Sequence, residues 1–151
     1  NSSFGYFAGG YIGGQSVVDR IDYSNDTATA SPKGPLSDSS RGFVSATGNS
    51  NFGYVCGGYP PGTRVDRIDY SNDTATAVAK GPLSLDRYAT AGAGNEDFGY
   101  IGGGKSPSPI YSTVDRIDYS NDTPTTPTKG PLTVARYGLA ATSAGSNALP
   151  Q

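Results

Sequence analysis

Apolar residues along this chain come in short runs, each closed by glycine, proline or an Asn-Asp pair. The middle of the chain shows the pattern most fully. Residues 41–48 mix apolar and polar positions and end in Gly48-Asn49, a turn signal. Residues 52–56 then run aromatic and apolar into the doublet Gly57-Gly58. Such a doublet suits a backbone that takes positive φ or approaches a neighbour closely. Residues 64–70 alternate, which in a strand puts Asp66, Ile68 and Tyr70 on one face and Val65, Arg67 and Asp69 on the other. Ser71-Asn72-Asp73-Thr74 consists of turn formers whose side chains bond the local backbone. Residues 74–78 read as a fourth strand, closed by Lys80-Gly81-Pro82-Leu83, where proline has no donor to offer a ladder.

That unit occurs three times. Val-Asp-Arg-Ile-Asp-Tyr-Ser-Asn-Asp-Thr stands unchanged at 18–27, 65–74 and 114–123, its start advancing by 47 and then 49 residues. Lys-Gly-Pro-Leu begins at Lys33, Lys80 and Lys129 with the same advance. Phe-Gly-Tyr begins at Phe4, Phe52 and Phe98, and Gly9-Gly10, Gly57-Gly58 and Gly103-Gly104 follow. A period of this size marks an array, a solenoid or a radially repeated fold. The chain reads as one repeat domain over 1–151, with units at 4–40, 41–86 and 87–135. It enters at a second strand and leaves through a first-type strand at 136–144. That last strand is expected to complete the sheet of the opening three, hiding two edges that would otherwise template aggregation.

Composition narrows the class. Glycine at 22 and proline at 11 rule out a long-helix protein, while 11 tyrosines and many threonines favour strands. A net charge of −2 lacks the usual signature of disorder. The expectation is all-β with a thin core. With no histidine there is no Ser-His-Asp or Cys-His engine, no histidine metal ligand and no histidine pH switch. One cysteine, Cys56, rules out an intramolecular disulfide framework or a Cys₄ zinc site, and it reads as a small buried filler. Thirteen acidic against 11 basic residues give no footprint for nucleic acid. No apolar stretch nears the ~20 residues of a membrane span, so no membrane insertion is expected. Without an initiating methionine or a signal peptide, the chain reads as processed or as a piece of something longer.

The order within each unit is a strand opened by arginine (Arg41, Arg87, Arg136), an aromatic strand ending in Gly-Gly, a Val-Asp-Arg-Ile-Asp-Tyr strand and a Pro-Leu exit. It resembles the kelch repeat, and the resemblance covers nearly the whole chain. It implies β-propeller blades, one four-stranded sheet per repeat. The family's usual tryptophan on the fourth strand is absent; Thr29, Thr76 and Thr125 stand thereabouts, so tyrosines must supply the wedge between blades. Near-identical repeats of this Gly/Ser/Thr/Asn-rich, methionine-free type also resemble those of marine bacteriophage structural and tail-fibre proteins. Three blades fall short of the usual four to eight. Either two chains share a six-bladed ring, or these residues belong to a longer propeller. A β-trefoil or a β-prism, complete at this length, is the alternative.

Candidate chemistry is sparse. Asp19-Arg20-Ile21-Asp22 and its copies, with Asp26, Asp73 and Asp122, have the wrong spacing for a calcium loop. They read instead as Arg-Asp pairs on a strand face with Asn-Asp capping a turn. Asn25-Asp26-Thr27, its two copies and Asn1-Ser2-Ser3 fit the glycosylation pattern but read as turn sequences. The segments that vary between copies are 11–17, 59–64 and 105–113, and in repeat proteins such segments often line the binding face. Tyr11, Tyr59, Pro60, Lys105 and Tyr111 are the candidate contact residues, since tyrosine beside glycine, serine and proline has the composition of recognition loops.

The expected function is a non-enzymatic virion or extracellular fibre module. It would bind a host-surface glycan or protein through these loops, with no metal or cofactor. A purely structural assembly role is the alternative. Expected partners are copies of itself or other virion or fibre proteins. The copper chemistry of some kelch-type propellers needs histidine ligands, which this chain lacks.

Overall fold

Each Phe-Gly-Tyr run pairs with the decamer that follows it, and this hairpin is the centre of each sheet. The computed structural model describes residues 3–12, 15–39 and 41–143; Asn1-Ser2 and Ala144 therefore lie outside the described residues. The first repeat forms β1 (Phe4–Ala8), β2 (Val18–Asp22) and β3 (Ser31–Pro32). The second forms β4 (Ser45–Gly48), β5 (Phe52–Cys56), β6 (Val65–Asp69) and β7 (Val78–Ala79), and the third β8 (Ala91–Gly94), β9 (Phe98–Gly102), β10 (Val114–Asp118) and β11 (Thr128–Lys129). Each repeat builds its own antiparallel sheet, ordered as in the chain, with three, four and four strands. A single 3₁₀ turn over Tyr70–Asn72 is the only helical element among the described residues. The protein is all-β, and the described strands form three separate antiparallel sheets with no barrel closed across repeats.

The three central hairpins share one register, Phe4 opposite Asp22, Phe52 opposite Asp69 and Phe98 opposite Asp118. Each hairpin carries a glycine, Gly5, Gly53 or Gly99, against the ring of the tyrosine that follows its second strand. A Cβ there would meet the hydroxyl of Tyr23, Tyr70 or Tyr119 at 2.7, 2.6 and 2.7 Å. The turn that follows is capped by the last aspartate of the strand, not by the Asn-Asp pair. Asp22, Asp69 and Asp118 accept bonds from the backbone and hydroxyl of Ser24, Ser71 and Ser120. The hydrogen bonds from these serines pull the three carboxylates below their ordinary pKa.

Adjacent sheets pack face to face. Val18, Leu36, Val55, Ile68 and Ala77 fill the space between the first and second sheets. Tyr54, Cys56, Val65, Leu83, Ile101, Ile117 and Tyr119 fill that between the second and third. Val65 and Ile68 thus point to opposite faces of β6, as the alternation predicts, and both are buried because the second sheet is covered on both sides. Tyrosines supply the aromatic packing between sheets, Tyr6 stacking on Tyr70 at 4.7 Å and Tyr54 on Tyr119 at 4.9 Å.

A polar latch repeats beside each stack. Asp73 of the second repeat accepts from Tyr6 Oη (2.9 Å) and Arg20 (2.8 Å), and pairs with Lys33 (3.3 Å). Asp122 of the third repeat does the same with Tyr54 (2.9 Å), Arg67 (2.9 Å) and Lys80 (3.1 Å). Burial alone would raise the Asp73 pKa, but bonds from Tyr6, Lys33 and Arg20 hold it below its usual value. Burial and the bond to Asp73 push Tyr6 up to about 12.

Two expectations are corrected. The fourth strand is only two residues long and pairs at Val78–Ala79, not over 74–78. Its neighbours are engaged elsewhere, Ala77 N donating to Pro35 O across the sheet interface at 2.8 Å. Nor does a closing strand form over 136–143, the described part of the expected 136–144. Residues 136–143 contain no strand and run beside the third sheet, with Gly138 N bonded to Ala89 O (2.8 Å) and Gly94 N to Ser143 Oγ (2.9 Å). β1 remains an edge strand. The second sheet stands between the first and third, so this segment leaves the chain on the wrong side to pair with β1.

Candidate functional site

Buried arginines organise the face formed by the glycine doublets. Arg87 is fully buried, donating to Asp115 (2.9 Å) and to the carbonyls of Ile101 (3.1 Å), Gly103 (3.1 Å) and Thr113 (2.8 Å). Ser84 completes the Asp115 shell through its amide (2.9 Å) and hydroxyl (2.7 Å). Arg41 repeats the arrangement with Asp66 (3.2 Å) and Val55 O (2.9 Å), and Ser37 bonds Asp66. Burial lowers the pKa of both guanidinium groups, with the adjacent carboxylate opposing the shift. The decamer's first aspartate is therefore taken by the arginine of the strand that opens the sheet. The expected Arg-Asp pairing within one strand face is corrected: Arg20 and Arg67 reach across to the next sheet. Among the described residues no group of three His, Cys, Asp or Glu side chains is placed to hold a metal.

These arginines also receive the doublets. Gly10 N donates to Arg41 O (3.2 Å), Gly58 N to Arg87 O (3.1 Å) and Gly104 N to Arg136 O (2.9 Å). The residue after the doublet is in turn set against the residue after the arginine of its own repeat. Gly42 bridges to Tyr59 and Tyr88 to Lys105. Side chains remote in sequence become a strip of rings. Tyr11 lies 4.8 Å from Phe43 and 6.2 Å from Tyr59, Phe43 lies 6.1 Å from Tyr88, and Tyr59 lies 5.1 Å from Tyr88. Lys105 Nζ continues it, 5.5 Å from the Tyr88 ring centre and 4.2 Å from that of Tyr137. The strip faces solvent: Tyr11 is 62% and Phe43 51% exposed.

One ring of the strip, Phe43, stands on left-handed backbone. Phe43 and Ala89 both have φ of 53°, and Gly138, two residues after Arg136 as they are after Arg41 and Arg87, has φ of 64°. A non-glycine residue in that region costs on the order of 1–2 kcal/mol. The surrounding bonds hold it there, Ala89 N donating to Phe43 O at 2.9 Å.

Of the five residues expected from sequence, Tyr11, Tyr59 and Lys105 are brought together. Pro60, beyond a cis Tyr59–Pro60 peptide, turns instead toward a cleft of about 540 Å³ lined by Asp38, Arg64, Lys80 and Asp86. Tyr111 stands apart: it is half-buried and joins no ring contact among the described residues. Its amide bonds Gly104 O at 2.9 Å. Phe43, Tyr88 and Tyr137 were missed because they fall at the openings of first strands, read as structural. Their one signal was proximity to Arg41, Arg87 and Arg136. Cys56 is buried as expected, and burial pushes its thiol pKa up to about 12.

Compared with known proteins, the chain matches no family model and no curated relative.

Proposed function

We propose that this chain is a non-enzymatic attachment module of a virion or extracellular fibre, built as part of a kelch-like β-propeller, and that it takes a host-surface glycan on the aromatic strip. The observation that carries this reading is the continuous run of rings from exposed Tyr11, Phe43 and Tyr59 through half-buried Tyr88 to the Lys105–Tyr137 pair. Isolated exposed apolar residues need no explanation, whereas a contiguous patch held at a cost in backbone strain does. Aromatic faces pack against the apolar faces of sugar rings, while tyrosine hydroxyls and an ammonium supply bonds to sugar hydroxyls. The non-enzymatic reading rests on a sequence without histidine and with one buried thiol.

Support for the propeller comes from serial stacking: the first sheet packs on the second and the second on the third through like residues. A prism with an internal threefold axis would make all three interfaces alike, yet Asp26 is exposed where Asp73 and Asp122 are buried.

The test is a glycan array together with binding to whole host cells. Tyr59→Ala and Phe43→Ala should each lower binding at least tenfold with the fold intact. Silence of the unaltered chain on both the array and the cells would overturn the reading. A purely structural role predicts that these variants change nothing.

A further inference from the structure

Both internal interfaces are built from one set of parts, and the chain carries the two halves of a third. In the first interface Asp73 enters a socket of Tyr6, Arg20 and Lys33; in the second, Asp122 enters Tyr54, Arg67 and Lys80. The third repeat has the same socket. Tyr100 faces Arg116 across β9 and β10, and Lys129 ends β11, yet none has a carboxylate partner among the described residues. Arg116 Nε is buried without a bond. The corresponding plug on the first repeat, Asp26, is exposed and forms no ion pair or side-chain hydrogen bond among the described residues.

Every other part follows the same rule. Tyr70 stacks on Tyr6 and Tyr119 on Tyr54, while Tyr23 is 58% exposed. Val55 and Ile101 are buried in the two interfaces, while Phe7 at the same position is 64% exposed. A Cβ on Gly34 or Gly81 would run into the carbonyl of Ala75 or Pro124 in the next repeat, whereas around Gly130 nothing lies within 4 Å. Gly34 N and Gly81 N donate to Asp73 O and Asp122 O, both at 2.8 Å. Arg136, the third copy of the Arg41 and Arg87 anchors, is exposed, and half-buried Asp19 has no arginine where Asp66 and Asp115 each have one.

We infer that the open face of the first sheet docks on the open face of the third sheet of a second copy, head to tail, with Asp26 seated among Tyr100, Arg116 and Lys129. Tyr23 then stacks on Tyr100, Gly130 N bonds Asp26 O, and Arg136 takes Asp19. Segment 136–143 is carried to the edge of β1, where one chain alone cannot place it. Plug and socket carry opposite charge and lie on opposite ends, so the contact is heterologous and generates a ring if it closes. Each copy adds three sheets, and radial sheet arrays commonly close at four to eight. Two copies, six sheets, is the closure that fits. The pairing of Gly42 with Tyr59 and of Tyr88 with Lys105 then sets Tyr137 opposite Tyr11 of the second copy, making the aromatic strip continuous across the junction.

This inference stands whether or not the strip takes a glycan, and its test reads mass, not ligand. Sedimentation equilibrium of the 151-residue chain should give twice its 15.5 kDa. Asp26→Ala and Gly130→Ala both change exposed positions, so each should keep the circular dichroism spectrum and a cooperative melt. Each should weaken association at least tenfold and return the mass to 15.5 kDa at micromolar concentration. A chain that stays at monomer mass up to ~100 μM overturns the inference, as do open-ended assemblies and a dimer that either substitution leaves equally tight.

Discussion

Phe43 occupies a left-handed conformation that Gly138 adopts freely at the same distance after Arg136, in the segment that follows the third repeat. The ring it carries touches Tyr11 and Tyr88 and is half in water, so it adds little core to offset the strain. Phe43→Gly should therefore leave stability unchanged or raise it by up to about 1 kcal/mol, while weakening adhesion. Urea denaturation checks the first part, and a loss above 1 kcal/mol would show the ring to be core. Cys56 makes the opposite point. Its fully buried thiol, pushed up to about 12 chiefly by desolvation, should resist alkylation at pH 8 until the chain is unfolded. Labelling at the rate of a free thiol under native conditions would contradict the packing of β5.

At the scale of elements, β5 and β6 were legible to within a residue because each is a dense aromatic or alternating run closed by turn formers. β7 was not, because the Ala75 amide is taken by the local turn at Asn72 O and the Ala77 amide by Pro35 O of the neighbouring repeat, and no local pattern says which partner a donor will find. The same interface makes glycine costly to replace. Gly81→Ala places a methyl against the Pro124 carbonyl and should destabilise by about 2 kcal/mol or more in denaturant melts. Asp122→Ala leaves Arg67 and Lys80 facing each other without their carboxylate and should cost about 3 kcal/mol.

For the whole molecule, acid acts on the latch between sheets. The Asp73 pKa lies below its ordinary value in the folded state, so the stability it contributes is complete above the unfolded value of about 4 and is lost as pH falls through the lower folded value. The melting temperature should be flat from neutral pH to about 5 and drop below 4, and Asp73→Asn should flatten that drop. Asp22, Asp69 and Asp118, held low by their serines, leave a residual slope in the variant. A full-sized drop in Asp73→Asn would remove the latch from the account.

Three sheets from three repeats, their strand faces and the buried cysteine were settled by sequence alone, because periodicity, alternation and turn chemistry are local and each recurs three times. Half of the candidate site was legible as well: Tyr11, Tyr59 and Lys105 sit in the segments that differ between copies. Only the tertiary structure could add Phe43, Tyr88 and Tyr137, or show that Asp73 and Asp122 are latches while Asp26 is left open. The decamer is identical in all three copies, so what separates their roles is the neighbour each one meets, and a neighbour is a property of packing.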